Sequence, residues 1–291
     1  MVTRIDDGRS EGTADGTAGD WRGVLEAVRA AVRDAGEQDP LDEAAQLRVK
    51  NHGLAGSTLW LAGEDGFAVA HDGGVDLAVA PAARGRGLGR ELAAEALAGD
   101  AAVTAWSHND HPAAAALAAR HGLRRARELW VMRRPTSEPL PDLVVPDGVT
   151  VRGYRDDDRD EVLRVNGAAF AHHPEQGSLD AEGLAARMAE PWFDPAGLLV
   201  ADSGDGLRGF HWTKQHSSDL GEVYVVAIDP AAQGQGLGRV LTLAGLEHLR
   251  GQGAAEVLLY VESDNAPAVH VYAGLGFTHA DADTHVQYRR P

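Results

Sequence analysis

The stretch Gln233-Gly234-Gln235-Gly236-Leu237-Gly238 has the composition of an anion cradle. Closely spaced glycines let backbone N–H groups approach a phosphate and adopt positive φ. A helix that begins there adds its unpaired first-turn donors and the positive end of its dipole, and the ligand such a loop suits is a diphosphate. The residues before it, Glu222-Val-Tyr-Val-Val-Ala-Ile, have the β-branched and aromatic bias of a strand and close at Asp229-Pro230. After it, Leu237, Val240, Leu241 and Ala244 recur at helical spacing, which predicts a helix packing one face on a sheet. Strand, loop and helix together must position whatever the loop holds.

Several nucleotides use glycine loops, and the spacing separates them. A Walker loop ends in Gly-Lys-Ser/Thr, and Gly236-Leu237-Gly238-Arg239 does not. A dinucleotide fold places an acid about 20 residues on. Glu262 follows the next strand at a longer spacing, and the glycine order is not G-x-G-x-x-G. The pattern also recurs: Asp76-Leu77-Ala78-Val79-Ala80-Pro81, with Arg84-Gly85-Arg86-Gly87-Leu88-Gly89-Arg90 after it, aligns with the later copy at a constant offset of 149 residues. A chance glycine turn does not repeat in register with its strand, proline and helix. Together with Asn265-Ala266-Pro267-Ala268-Val269-His270 and Tyr272, these segments resemble the GNAT acetyltransferases, whose coenzyme A pyrophosphate loop reads Gln/Arg-x-x-Gly-x-Gly/Ala after a strand ending near Asp-Pro. The resemblance implies an α/β (α+β) fold of two tandem GNAT domains, each a mixed, mostly antiparallel sheet flanked by helices. It also implies acetyl-CoA as cosubstrate and no metal. The cofactor would be held by Val226, Ala227 and Ile228, by residues 233–239 and by residues 265–270, with 77–79 and 84–90 as the first-copy equivalents.

Acetyl transfer from a thioester needs a free amine, a stabilised oxyanion and a protonated thiol leaving group. Glu222, at the start of the motif strand, is placed to take a proton from the ammonium directly or through water. Tyr272, with an ordinary pKa near ~10, can hand a proton to the departing sulfur. A backbone N–H between 226 and 228 would meet the oxyanion. The first copy has Gly73 where Glu222 stands and Ala118 where Tyr272 stands, so that domain is expected to bind coenzyme A without catalysing.

The segments AFAHHPEQG, FHWTKQH, LGEVYVVAIDP, LLYVESDN and YAGLGF narrow the resemblance to the mycothiol synthases. What that family implies is transfer to the cysteinyl amine of cysteinyl-glucosaminyl-inositol, a small-molecule acceptor contacted by Glu175, Lys214, Glu222, Tyr260 and, from the first domain, Glu43. Two of the 27 basic residues are lysines, Lys50 and Lys214, so a lysine on the FHWTKQH strand stands out. His172 and His173, being adjacent, make poor metal ligands. Two alternatives stay open: a tandem acetyltransferase for another amine, such as an aminoglycoside or a protein N-terminus, and a non-catalytic coenzyme A sensor.

At 291 residues and 44% hydrophobic content, two ordinary domains are expected. A formal charge of −17 argues against nucleic-acid or anionic-membrane partners. The absence of cysteine excludes disulfides and thiolate chemistry. With no long apolar run, the reading is a cytoplasmic monomer. Residues 1–20 read as a disordered tail, 21–134 as the first domain, 135–148 as a proline-dense linker and 149–291 as the catalytic domain.

Overall fold

The computed structural model describes residues 2–6, 9–10, 20–99, 102–171, 177 and 179–291. Contacts divide the chain into two compact units, residues 1–129 with 284–291 and residues 130–283. No helix among the described residues is long and apolar enough to cross a membrane.

In the first unit, β1 (Thr3–Asp6) and β2 (Arg9–Ser10) precede α1 (Trp21–Asp34) and α2 (Glu43–His52). The chain continues through β3 (Ser57–Leu61), β4 (Gly66–His71), β5 (Gly74–Val79), α3 (Leu88–Ala96), β6 (Val103–Ser107) and α4 (Pro112–Arg120) into β7 (Arg124–Pro135). The strand order is β2-β1-β3-β4-β5-β6, with β5 and β6 parallel. Helix α1 turns Val24, Leu25, Val28 and Val32 inward, the stripe its periodicity predicts, onto a core with Leu41, Leu59 and Phe67.

Two expectations are corrected here. The tail read as disordered contains β1, which pairs antiparallel with β3 and buries Ile5 opposite Leu59. One apolar residue among polar neighbours carries no periodic signal; the exposed edge of β3 supplies the order. The last residues, read as part of the second domain, pair through 286–290 with β6 in the first.

The second unit runs β8 (Thr150–Gly153), α5 (Arg159–Ala169), α6 (Ala181–Met188), β9 (Leu198–Asp202), β10 (Leu207–Gln215), β11 (Leu220–Ile228), α7 (Leu237–Gly251), β12 (Glu256–Glu262), α8 (Ala266–Ala273) and the first part of β13 (Thr278–Arg290), whose residues from 284 on belong to the first unit. This is the β-α-α-β-β-β-α-β-α-β order that the sequence pattern predicts. Its sheet is ordered β12-β11-β10-β9-β8, antiparallel except for β11 beside β12. Helix α7 covers one face with Leu237, Val240, Leu241 and Ala244, all buried. On the other face, Val162 and Val165 of α5 and Leu184 of α6 pack with Phe210, Trp212, Val225 and Ala227.

The proline-dense segment has no regular element over 136–148, but it is bound to this unit rather than free. Leu140 and Leu143 join the cluster of Leu275 and Phe277. The buried Arg134 guanidinium donates to the carbonyls of Leu275 at 2.7 Å, Glu138 at 2.8 Å and Pro139 at 3.2 Å.

A buried histidine dictates one glycine of α7. His211 on β10 is fully buried with Nδ1 2.8 Å from the Leu241 carbonyl, and a Cβ on Gly245 would collide with its ring. Helical glycine costs about 1 kcal/mol against alanine; the ring's room requires it. Gly245→Ala should therefore lower the free energy of unfolding by about 1–3 kcal/mol, as overpacking does. Gly251→Ala, with open space around its added methyl, should be neutral or slightly stabilising in the same urea titration.

Burial also pushes His211 down to about 4. Between its ordinary value near ~6.5 and that value the unfolded chain binds the proton and the folded chain does not, so stability falls as pH drops through this window. His211 alone should lower the free energy of unfolding by about 2 kcal/mol from pH 7 to pH 5, and urea melts at the two pH values check it.

Candidate functional site

Strands β11 and β12 pair in parallel from Leu220↔Glu256 to Val223↔Leu259, yet β11 continues to Ile228 and β12 to Glu262. Past Val223 the two separate. Alternate N–H and C=O groups of a strand point to opposite edges, so one set between Tyr224 and Ile228 faces a wedge instead of a neighbour. On its other edge β11 stays paired with β10 as far as Gly209↔Ile228. A register shift there, between Trp212↔Val225 and Thr213↔Val223, leaves Tyr224 bulged.

The glycine loop closes the far end of β11. Asp229 Oδ1 accepts from the Ala231 N–H at 2.9 Å, a short 3₁₀ turn spans Pro230–Ala232, and Gly234 and Gly236 follow at φ of 78° and 79°. Gly236 is the left-handed N-cap of α7, and no side chain caps that helix. Its first-turn N–H groups, on Leu237, Gly238 and Arg239, thus have no capping partner among the described side chains. Positive φ, expected at three glycines, occurs at two: Gly238 already lies in the helix, where a Cβ would make an ordinary 3.8 Å contact with Ile228. Asn265 Oδ1 caps α8 through the Ala268 N–H, and Arg239 donates to the Gly274 carbonyl at 3.3 Å, linking the start of α7 to the end of α8.

At the near end, Glu222 and Lys214 are directly opposed across β11 and β10 and so share a sheet face. Glu222 is 5% exposed, and its Oε2 lies 2.6 Å from His216 Nε2. Lys214 Nζ sits over the rings of Trp192 at 4.7 Å and Tyr224 at 5.1 Å, and Tyr224 Oη accepts from Arg187 Nε at 2.9 Å. Glu222 also pairs with Leu258, and Tyr260 two residues on shares that face. Tyr272 is on α8 with its ring edge-on to Phe277 at 6.0 Å, and burial raises its phenol to about 12. It stays protonated through the neutral range. The structure thus brings Lys214, Glu222 and Tyr260 onto one face.

His216 was not singled out from sequence. The signal was there: two residues beyond Lys214 it shares Lys214's face, and the short turn over 217–219 returns the chain beside it. Glu175, with His172 and His173, lies outside the described residues. Glu43 opens α2 in the first unit, behind the Asp42 cap.

The first unit keeps the loop geometry, with Gly85 and Gly87 at φ of 79° and 91°, Gly87 again being a left-handed helix N-cap. Arg84, expected to face a diphosphate, is engaged by Glu37 in a two-point ion pair at 2.6 and 2.8 Å.

The family model described as Acetyltransferase (GNAT) family matches residues 26–123 and 169–277, once in each copy of the motif. A mycothiol acetyltransferase of Nocardioides sp. is 61% identical over 92% of this chain and 96% of its own length. One from Nocardia farcinica is 51% identical over 89% and 92%. The chain belongs to the mycothiol acetyltransferase family. As a mycothiol acetyltransferase family member built from two GNAT repeats, it is an acetyl-CoA-dependent acyltransferase. Among solved structures, a tandem GNAT protein from the clavulanic acid biosynthesis pathway superposes with a TM-score of 0.68 at 21% identity, covering 99% of this chain and 97% of its own. A GCN5-related N-acetyltransferase from Sphaerobacter thermophilus gives 0.66 at 22% identity over 92% of each chain. These two likenesses show the fold.

The loop yields a paired test. Gly236→Ala forces a side chain into left-handed backbone at the anion cradle and should weaken acetyl-CoA binding at least tenfold by calorimetry, while Gly238→Ala, in relaxed helical backbone, should change it little.

Proposed function

We propose that the second unit transfers the acetyl group of acetyl-CoA to the cysteinyl amine of cysteinyl-glucosaminyl-inositol, giving mycothiol. One observation carries this reading: a buried carboxylate, Glu222, stands where β11 and β12 begin to part, on the same strand that ends in the glycine loop. Kinship with the mycothiol acetyltransferases over nearly the whole chain supports the choice of acceptor.

In this reading residues 233–239 hold the diphosphate, with Asn265 to His270 along α8 beside it, and the open edge of Val226, Ala227 and Ile228 receives the pantetheine and acetyl group. Glu222 removes a proton from the acceptor ammonium. The amine nitrogen then bonds to the thioester carbonyl carbon, and a backbone N–H of the open edge meets the negative oxygen that forms. As the C–S bond breaks, Tyr272 gives its phenolic proton to the sulfur, and the second proton still on the attacking nitrogen leaves to the phenolate, which yields the neutral amide and restores Tyr272. A phenol held near 12 remains a loaded donor across the working range. Lys214 and Tyr260 bind the acceptor's hydroxyl-rich body. The first unit, with Gly73 and Ala118 at the two proton-carrying positions, serves without turnover.

Acetyl-CoA consumption measured over a panel of amines tests the acceptor: cysteinyl-glucosaminyl-inositol should exceed aminoglycosides and N-terminal peptides in kcat/KM, and a better aminoglycoside would overturn the assignment. Tyr272→Phe should lower kcat on the order of 10²-fold with little change in either KM. Lys214→Ala should raise KM for the acceptor and spare that for acetyl-CoA.

A further inference from the structure

We infer that His216 is a positioning residue for the reaction, holding the carboxylate of Glu222. The inference rests on the reading of Glu222 as the base. It begins from the 2.6 Å contact between His216 Nε2 and Glu222 Oε2, short enough for a charge-assisted hydrogen bond. The two partners differ in surroundings: the Glu222 side chain is 7% exposed and that of His216 is 35% exposed. An imidazole at the mouth of the β10–β11 hairpin thus touches both the buried base and solvent. Its backbone N–H donates to the Leu220 carbonyl at 2.9 Å, which anchors it to the strand that carries Glu222.

This geometry has one consequence for proton removal. With Nε2–H donating to Oε2, the carboxylate plane is held and Oε1 is left to meet the acceptor ammonium, so the base need not be oriented at each turnover.

The full chain tests this. His216→Ala should lower kcat about tenfold at pH 7.5 with KM for acetyl-CoA unchanged, and His216→Gln, which restores an N–H donor, should recover most of the loss. A readout independent of turnover is the Nε2 chemical shift of His216 in labelled protein at fixed pH, which should move when Glu222 is replaced by Gln and the contact is changed. Unchanged kcat in His216→Ala, a His216→Gln variant as slow as His216→Ala, or a His216 Nε2 shift indifferent to Glu222→Gln would each overturn the inference. Loss of activity in Glu222→Gln together with normal His216→Ala overturns this inference alone, whereas full activity in Glu222→Gln overturns the assignment of the base on which it rests.

Discussion

A strand cannot leave its neighbour without stranding backbone donors and acceptors. The second unit is arranged around one such departure, the end of parallel pairing at Val223↔Leu259. A wedge in a sheet is costly if buried dry, and it is stable where its open edge meets water or a ligand that supplies matching groups. The pantetheine of coenzyme A, an amide-bearing chain, has the chemistry to act as a temporary extra strand. The Tyr224 bulge on the opposite edge of β11 and the glycine N-cap beyond Ile228 are adjustments to the same fact. One re-aims the strand, and the other begins a helix without a side chain blocking the opening.

The two ends of the wedge differ in electrical character. The far end offers backbone dipoles and one arginine, Arg239, itself tied to Gly274. The near end gathers Glu222, His216 and Lys214 on the sheet face that also carries aromatic rings, with the lysine ammonium over Trp192 and Tyr224. Backbone dipoles hold a diphosphate without titrating, and they are insensitive to the overall charge of −17. In the proposed mechanism the groups that move protons are side chains, and those that hold the diphosphate are backbone dipoles.

Much of this was legible in the sequence because it is local. Glycine spacing, the repeat at 149 residues, the apolar stripe of α7 and the element order depend on residues within one strand, loop and helix, and each appears as read. What sequence did not yield depends on distant pairing. His216 becomes a partner of Glu222 through the length of a hairpin turn, Arg84 is taken up by Glu37 from a segment 47 positions earlier, and Ile5 is ordered by an edge it has no local reason to find. The proline-dense segment read as a linker by composition, and composition does not show that Arg134 would be satisfied by carbonyls on either side of the second unit's sequence.

The assignment of residues 284–291 to the first unit bears on how the chain emerges during synthesis. Strand β6 is complete once residue 107 has been made, but its antiparallel partner at 286–290 is translated only after the whole of the second unit. For the whole time the second unit is being synthesised, the first carries an open sheet edge with Val103 and Trp106 on it. The first unit is therefore finished after the second, and a chain cut just short of residue 286 would leave an exposed strand edge rather than a shortened second unit.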